Sequence, residues 1–178
     1  MKKCESLQQP TAKIIGIHSS SKAMSAKPDK AWGLEPCLYL CVGAKVMLRI
    51  NLLTKHGLVN GATGIVRDII YAENAKPHDM PISIIVEFKD YSGKPLLGPE
   101  YPKCVPIVPF TAQWNDGKST HTRTQFPLRL AWAMTVHKSQ GLTMERAVID
   151  IGKKDIGIGN TYYLIFSFSG ELLKILKK

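Results

Sequence analysis

The sequence has no apolar run long enough to span a membrane. A transmembrane helix needs about 20 apolar residues, whereas the longest apolar run here, YYLIF at residues 162–166, has the length of a strand. The basic N-terminal stretch MKKCESLQQP has no apolar segment behind it. It therefore lacks the pattern of a signal peptide. These absences argue against a membrane-spanning or secreted protein.

Cysteine is also scarce, with 4 residues in 178. So few cysteines at irregular spacing do not make a disulfide scaffold, and they favour a reducing compartment inside the cell. Cys37 and Cys41 have the spacing of half a zinc site, but no second pair follows them. We interpret them as thiols of the core and predict no metal site.

Acidic residues are few relative to basic ones: 14 Asp and Glu stand against 24 Lys and Arg, for a net charge of +10. The basic excess lies in the two ends of the chain, and the middle third is roughly neutral. Such a distribution indicates a polyanionic partner, either a nucleic acid or an anionic membrane surface. The 44% hydrophobic content is that of a globular protein, and 14 Gly with 11 Pro favour many turns over a helical bundle.

The middle of the chain has the pattern of short strands. Ala44, Val46 and Leu48 alternate with residues 45, 47 and 49, which predicts a half-buried strand. An Asn60-Gly61 step then predicts a hairpin turn whose two central residues both have positive φ. Further strands are expected at residues 12–17, 64–70, 83–88 and 105–109, the last either at a sheet edge or with a bulge because of its prolines. Short strands at this spacing predict a small β-barrel, with loops at residues 71–81 and 89–103.

The pattern changes at both ends of this β-rich region. Residues 19–36 are small, polar and rich in turn formers, which predicts a linker or a surface excursion. Residues 128–140 are compatible with a helix that ends before Gly141, and residues 147–151 (AVIDI) indicate a buried strand of an α/β sheet. The terminal GELLKILKK is interpreted either as a short basic amphipathic helix or as the product of a shifted reading frame or partial gene.

Two segments contain residues that could bind phosphate. Gly117-Lys118-Ser119 matches the second half of a phosphate loop, but Ala112 stands where its first glycine belongs and no helix pattern follows, so we predict a hairpin tip. The run TVHKSQGLT at residues 135–143 gathers hydroxyls, an imidazole, an ammonium and an amide. It is either a polar helix end with a glycine cap or a cluster that contacts phosphate oxygens. His18, His56, His78 and His121 are isolated in the sequence and receive no role.

Two blocks of sequence carry a resemblance to a known family. AWAMTVHKSQGLTMERAVIDIG, at residues 131–152, resembles motif V and the following strand of the Pif/RecD family of superfamily-one DNA helicases. GLVNGATGIV, at residues 57–66, resembles part of a small β-barrel inserted into that family's second RecA-like domain. The resemblance covers roughly residues 5–155.

The resemblance implies an α/β fold, a partial RecA-like second motor domain of the P-loop NTPase type with a small β-barrel insertion. It implies an ATP-driven 5′-to-3′ motor on single-stranded DNA that uses ATP and Mg²⁺. Such motors serve DNA repair, recombination and telomere or genome maintenance, in the nucleus or mitochondrion of a eukaryote. By residues, it implies DNA contacts from Thr135 and His137 and nucleotide coupling by Lys138, Ser139, Gln140 and Gly141. In the insertion, the implied DNA-binding candidates are Lys45, Arg49, Lys55 and Arg67, although surface charge explains these four equally well.

The resemblance divides the chain into four parts: residues 1–37 as flank and linker, 38–126 as the barrel insertion with long loops, 127–155 as the RecA-like segment with motif V, and 156–178 as a divergent tail. The family's Thr-Tyr-x-Ala-Leu-Ser-Arg motif is incomplete, because Thr161-Tyr162 is present but no arginine occurs after Arg146. Loss of that γ-phosphate contact costs orders of magnitude in phosphoryl transfer.

With no phosphate loop and no complete catalytic set, we expect this chain alone neither to hydrolyse ATP nor to unwind DNA. The first RecA-like domain would then come from elsewhere. Two alternatives stay open: a stand-alone module that binds single-stranded nucleic acid, and a non-functional partial gene product.

Overall fold

The computed structural model describes residues 8–76, 78–117, 119–131, 146–150 and 171–176. The chain divides into two compact units, Met1–Trp132 and Ala133–Lys178. The first unit contains strands β1 (Ala12–Ile15), β2 (Ile17–His18), β3 (Cys37–Leu40), β4 (Lys45–Leu48), β5 (Thr63–Ile70), β6 (Ser83–Phe88), β7 (Cys104–Ile107), β8 (Phe110–Asn115), β9 (Thr120–Gln125) and β10 (Leu128–Leu130). It also contains helix α1 (Ser21–Ser25) and the 3-10 helices Pro28–Ala31 and Thr54–His56.

The largest sheet of the first unit has five antiparallel strands in the order β10-β4-β5-β6-β7. The strands expected at residues 64–70 and 83–88 are confirmed as β5 and β6. The proline-containing strand is β7, and it lies at the edge of the sheet as expected. Pro106 is placed opposite Ile85 there. A proline has no N–H for a second neighbouring strand, which suits this position.

One face of this sheet forms the main hydrophobic core. The alternation on β4 is confirmed in part, because Val46 and Leu48 are fully buried, as is the preceding Ala44. Met47, expected on the other face, is 94% buried as well, with 6% of its surface exposed. The ribbon formed by β1 and β3 covers the buried face with Ile14 and Leu40. Burial of such side chains contributes about 1.5–3 kcal/mol each.

The turn before β5 differs in detail from the expected hairpin. Ala62 N–H donates to the Val59 carbonyl at 2.9 Å, so a turn is present at Asn60-Gly61. Only Gly61 has positive φ, at +101°, whereas Asn60 is not in the left-handed region. A single positive φ at the third position is the pattern of a type II turn.

A closed barrel is not found among the described residues. The strands of the first unit instead form three separate sheets: the five-stranded sheet, the β1-β3 ribbon and a three-stranded sheet in the order β2-β9-β8. Strands β8 and β9 form a hairpin that pairs with β2 rather than with β7. The sequence pattern identified β1, β4, β5, β6 and β7, but it did not identify β3, β8, β9 or β10 and did not specify which edges would meet.

The helix expected at residues 128–140 is wrong at its start. Residues Leu128–Leu130 form strand β10, paired antiparallel with β4. The N–H of Ala131 donates to the Lys45 carbonyl at 2.8 Å, and the N–H of Arg49 donates to the Pro127 carbonyl at 2.9 Å. These bonds to β4 outweigh a helix propensity that is worth only tenths of a kcal/mol per residue. Residues 132–140 lie outside the described residues.

The linker expected at residues 19–36 is partly wrong, because this segment contains α1 and a 3-10 helix. Ser20 caps α1, its hydroxyl accepting from the Ala23 N–H at 3.1 Å. Ala23, Ala31 and Leu34 are fully buried. The segment was expected to be a linker because it is rich in small, polar residues, yet its few apolar residues pack it against β8 and β9.

A buried arginine on β9 holds that segment in place. The Arg123 side chain is fully buried and donates to the carbonyls of Leu34 (2.7 Å), Ala23 (2.7 Å), Ala26 (2.8 Å) and Met24 (3.3 Å). Burial lowers the pKa of Arg123, and the charge of Glu35 opposes that shift. Burial and the Arg123 charge lower the pKa of His18, which leaves its Nδ1 as an acceptor 3.4 Å from Arg123 Nε.

The second unit is described only through two strands. Strand β11 (Arg146–Asp150) pairs in parallel with β12 (Glu171–Leu176). The strand expected near residues 147–151 is therefore confirmed, whereas a helical tail is wrong. A helix of so few residues is marginal in water, while pairing with β11 satisfies the backbone of the tail. No helix within the described residues is long and apolar enough to cross a membrane.

We predict that Arg123→Met strongly destabilises the first unit. The substitution keeps the bulk of the side chain but leaves several buried carbonyls without donors, which we expect to lower the free energy of unfolding by about 3 kcal/mol or more. The matched control is Arg129→Met, because Arg129 is 57% exposed in its ion pair with Glu35. That control is expected to change stability by about 1 kcal/mol or less. Urea denaturation followed by circular dichroism measures both, and equal midpoints would contradict the role of Arg123.

Candidate nucleic-acid interface

The solvent-facing side of the five-stranded sheet carries a basic groove. Alternation on β5 turns Ile65 and Arg67 outward, and Lys45 on β4 is the register partner of Ile65. The groove has a volume of about 530 Å³. Its charged lining residues are Lys45, Arg67, Glu87, Lys89 and Lys103.

Cations outnumber carboxylates in the basic groove by four to one. Arg67 forms an ion pair with Glu87, with Nε 2.6 Å from Oε2. The Lys103 ammonium donates to the Lys89 carbonyl at 2.7 Å. This bond holds the ammonium of Lys103 next to the end of β6. Lys45 and Lys89 are exposed and form no ion pair with any other described residue. Uncompensated ammonium groups in a concave site attract anions.

The floor of the basic groove explains one glycine of the GLVNGATGIV block. Gly64 is buried on β5 and lines the groove. A Cβ at this position would lie 2.6 Å from both the Glu87 carbonyl oxygen and Val86 Cγ1. Glycine therefore permits the close approach of β5 and β6 on which the shape of the groove depends.

A second cavity, of about 690 Å³, adjoins the basic groove and shares Arg67, Glu87 and Lys103 with it. We call it the aromatic cavity. Its further lining residues include Asp68, Ile85, Leu97, Glu100, Tyr101, Pro102 and Cys104. Its charge differs from that of the basic groove, because three carboxylates face two cations. Burial raises the pKa of the Cys104 thiol, and the neighbouring Glu87 carboxylate raises it further.

The structure separates the four basic candidates of the insertion. Lys45 and Arg67 lie together in the basic groove. Arg49 is half-buried elsewhere, and its Nε donates to the Gly33 carbonyl at 3.4 Å. Lys55 is exposed in the 3-10 helix Thr54–His56 and does not line the basic groove. The remaining candidates, Thr135, His137, Lys138, Ser139, Gln140 and Gly141, lie outside the described residues.

The partial phosphate-loop match lies at a hairpin tip, as expected. Gly117 and Ser119 fall between β8 and β9, which are antiparallel partners, and Lys118 lies outside the described residues. Asp116 Oδ1 accepts from the Ser119 N–H at 2.9 Å, which closes the turn. The element that follows is a strand rather than a helix, so the turn does not present phosphates to a helix N-terminus.

Sequence reasoning missed several residues of the first unit. Lys89 directly follows β6 and Lys103 directly precedes β7. Both lie in a loop where no periodicity marks a face. The interpretation of His121 as isolated is wrong: it is buried, with Nε2 3.0 Å from Asp116 Oδ2 and Nδ1 3.3 Å from Ser20 Oγ. His121 and Arg123 alternate along β9 and share its buried face, where a charged residue was not expected from the sequence.

Cys41 and Cys104 are buried and Cys37 is half-buried, which confirms the core interpretation for Cys41.

No family model matches the chain. The chain is 32% identical over 134 residues to the ATP-dependent DNA helicase PIF6 of Trypanosoma brucei brucei, a match that covers 75% of this chain and 15% of the relative. It is 33% identical over 138 residues to human ATP-dependent DNA helicase PIF1, covering 74% of this chain and 19% of the relative.

Solved structures agree at the level of the fold. The Pif1 helicase of Candida albicans superposes with a TM-score of 0.72 at 24% identity, over 99% of this chain and 42% of that one. Bacteroides Pif1 bound to single-stranded DNA gives a TM-score of 0.62 at 20% identity, over 99% of this chain and 40% of that one. The chain thus has the fold of part of a DNA helicase. It belongs to the Pif1 family, and it spans less than a fifth of the length of these two curated relatives.

We predict that Cys104 reacts more slowly with iodoacetamide than Cys37 does near neutral pH. Cys104 is 5% exposed and its raised pKa reduces the thiolate fraction, whereas Cys37 is half-buried. Peptide mapping by mass spectrometry after short exposures measures both rates in one sample. In urea the two rates should converge, and faster reaction of Cys104 in the folded chain would contradict its placement.

Proposed function

We propose that this chain is part of a Pif1-type ATP-dependent DNA helicase and that it supplies contacts to single-stranded DNA and residues that couple those contacts to the nucleotide. The observation that carries the proposal is the 32–33% identity to helicases over about three quarters of the chain. In this proposal the chain is a partial RecA-like second motor domain with an inserted β-rich region at residues 38–126. By the same family likeness it would act in the nucleus or mitochondrion.

The basic groove supports the DNA-binding part of the proposal. A single strand carries one negative charge per nucleotide, and proteins that bind it combine a basic groove with exposed aromatic rings. Lys45, Lys89 and Lys103 are exposed and form no ion pair with any other described residue. The Lys103 ammonium already donates to the Lys89 carbonyl, so Lys45 and Lys89 would contact phosphates most directly. Arg67 is already paired with Glu87. Arg67 would therefore contribute less to DNA affinity unless a phosphate displaces the Glu87 carboxylate. Arg49 and Lys55, which lie outside the groove, have no DNA contact in this proposal.

The HKSQG segment would act in the same motor. Thr135 and His137 would contact the strand, and Lys138, Ser139, Gln140 and Gly141 would form the turn that senses the nucleotide. A hydroxyl, an imidazole and an amide position phosphate oxygens by hydrogen bonds, and an ammonium adds charge. The family likeness supports these roles.

The described residues do not fit ATP and Mg²⁺ by themselves. The Gly117–Ser119 turn leads into a strand, so it lacks the helix N-terminus of a phosphate loop. Within the described ranges, no group of three His, Cys, Asp or Glu side chains is placed to hold a metal ion. We therefore propose that ATP and Mg²⁺ are held mainly by a first RecA-like domain outside this chain, and we derive no hydrolytic step from these residues.

We predict that the double variant Lys45→Ala, Lys89→Ala weakens binding to single-stranded DNA and reduces its salt dependence. Each phosphate contact with a single strand contributes about 0.7 to the slope of log K against log salt concentration, so losing two contacts lowers the slope by about 1.4. Fluorescence anisotropy of labelled oligo(dT) over a salt series measures both quantities. The control is the pair Lys13→Ala, Lys55→Ala, which removes two exposed lysines outside the groove. An unchanged slope in the groove variant would remove the groove from the DNA path.

We predict a separate loss of DNA affinity on substituting the HKSQG segment. His137→Ala and Lys138→Ala each remove one strand or phosphate interaction and are expected to weaken oligo(dT) binding at low salt several-fold. The Lys138 change should also reduce the salt slope, because it removes an ammonium, and the His137 change should reduce that slope less. Lys154→Ala, a downstream lysine outside the segment, is the control. Wild-type binding by both segment variants would contradict the proposed role of the segment.

A further inference from the structure

The aromatic cavity has a composition that the basic groove beside it lacks. Leu97 and Tyr101 line it with apolar and aromatic surface, and they are 41% and 55% exposed. Asp68 and Glu100 add carboxylates. A phosphate would be repelled by these carboxylates, whereas a flat group with hydrogen-bond donors on its edge fits both features. The two neighbouring cavities thus differ in the chemistry that they can bind.

We propose that the aromatic cavity binds a base of single-stranded DNA, with Tyr101 as the stacking surface, while the adjacent phosphates lie in the basic groove. This inference rests on the proposed function and adds to it a base-binding site. The two cavities share Arg67, Glu87 and Lys103, so one strand can occupy both without a break. Cations predominate in the basic groove and carboxylates in the aromatic cavity. This arrangement suits a nucleotide whose phosphate lies in the groove and whose base lies in the cavity.

The backbone around Tyr101 is fixed before any ligand arrives. Its N–H donates to the Gly98 carbonyl at 3.1 Å, and its carbonyl accepts from the Cys104 N–H at 3.1 Å. The second bond connects the Tyr101 turn to the first residue of β7. A stacking residue held in this way loses little conformational entropy on binding. An exposed tyrosine at the end of a loop thereby becomes a stacking surface anchored to the sheet.

The carboxylates of the cavity favour some bases over others. Asp68 Oδ1 accepts from the Ile69 N–H at 2.7 Å, so Oδ2 remains for a ligand. Glu100 is exposed and forms no ion pair with any other described residue. A carboxylate accepts a hydrogen bond from the exocyclic amine of cytosine. Thymine offers only its ring N3–H, which lies between two carbonyl oxygens that a carboxylate repels. The site is therefore expected to bind oligo(dC) more tightly than oligo(dT).

The test is anisotropy of the full chain with labelled oligo(dC) and oligo(dT) of about 12 nucleotides at low salt. Tyr101→Ala is expected to weaken binding at least about fivefold, because stacking on one aromatic ring contributes that much or more. Tyr101→Phe should retain the affinity, since it keeps the ring. The matched control is Tyr71→Ala, because Tyr71 is 41% exposed and does not line the aromatic cavity. Glu100→Gln should reduce the preference for oligo(dC) and leave oligo(dT) affinity nearly unchanged.

A second measurement avoids substitutions altogether. Photocrosslinking of the wild-type chain to iodinated oligo(dC), followed by peptide mapping, is expected to give an adduct at Tyr101. Adducts only elsewhere, or equal DNA affinity for Tyr101→Ala and Tyr71→Ala, would overturn the base site while leaving the proposed function in place. That outcome includes the case in which the cavity serves a basic or apolar peptide instead. If the wild-type chain binds neither oligonucleotide, the proposed function falls, and the base site falls with it.

Discussion

The first unit depends on one buried guanidinium. Arg123 reaches from the middle of β9 into the segment at residues 20–34 and bonds the carbonyls of four of its residues. That segment has little regular structure of its own, so its carbonyls would otherwise be left without donors when it packs on the sheet. A planar group with five N–H donors can satisfy several carbonyls at once, which lysine cannot do. The position of α1, and of the exposed Trp32 that follows the 3-10 helix, is set by this contact.

Local sequence patterns identified much of the fold but not its assembly. The strands β4, β5, β6 and β7 were predictable because apolar residues alternate along them or prolines limit them to an edge. The strand at Leu128–Leu130 was not, since its residues suit a helix and only hydrogen bonds to β4 determine the outcome. The expectation of a closed barrel failed for a similar reason, because β9, the partner of β8, pairs with β2, far away in the sequence. Pairing between distant segments leaves no local periodicity to detect.

The candidate site was predictable in the same uneven way. Lys45 and Arg67 could be proposed because they lie on recognisable strands of a block that resembles the family. Lys89 and Lys103 could not, because the groove gathers them from the two ends of a long loop only after β6 and β7 pair. Arg49 has the same charge and a similar place in the sequence, yet it bonds Gly33 instead. Net charge indicated an anionic ligand, but backbone geometry decided which basic side chains line the groove.

The proline on β7 has a consequence for how this domain behaves at high concentration. An exposed sheet edge offers a row of backbone donors and acceptors to any other extended chain, and unprotected edges lead to aggregation. Pro106 removes one donor from this edge strand, and Pro109 follows soon after it. Lys103 adds a positive charge next to the start of the same strand. The edge next to the aromatic cavity is therefore a poor template for another strand, which leaves that side of the sheet open to ligands rather than to copies of itself.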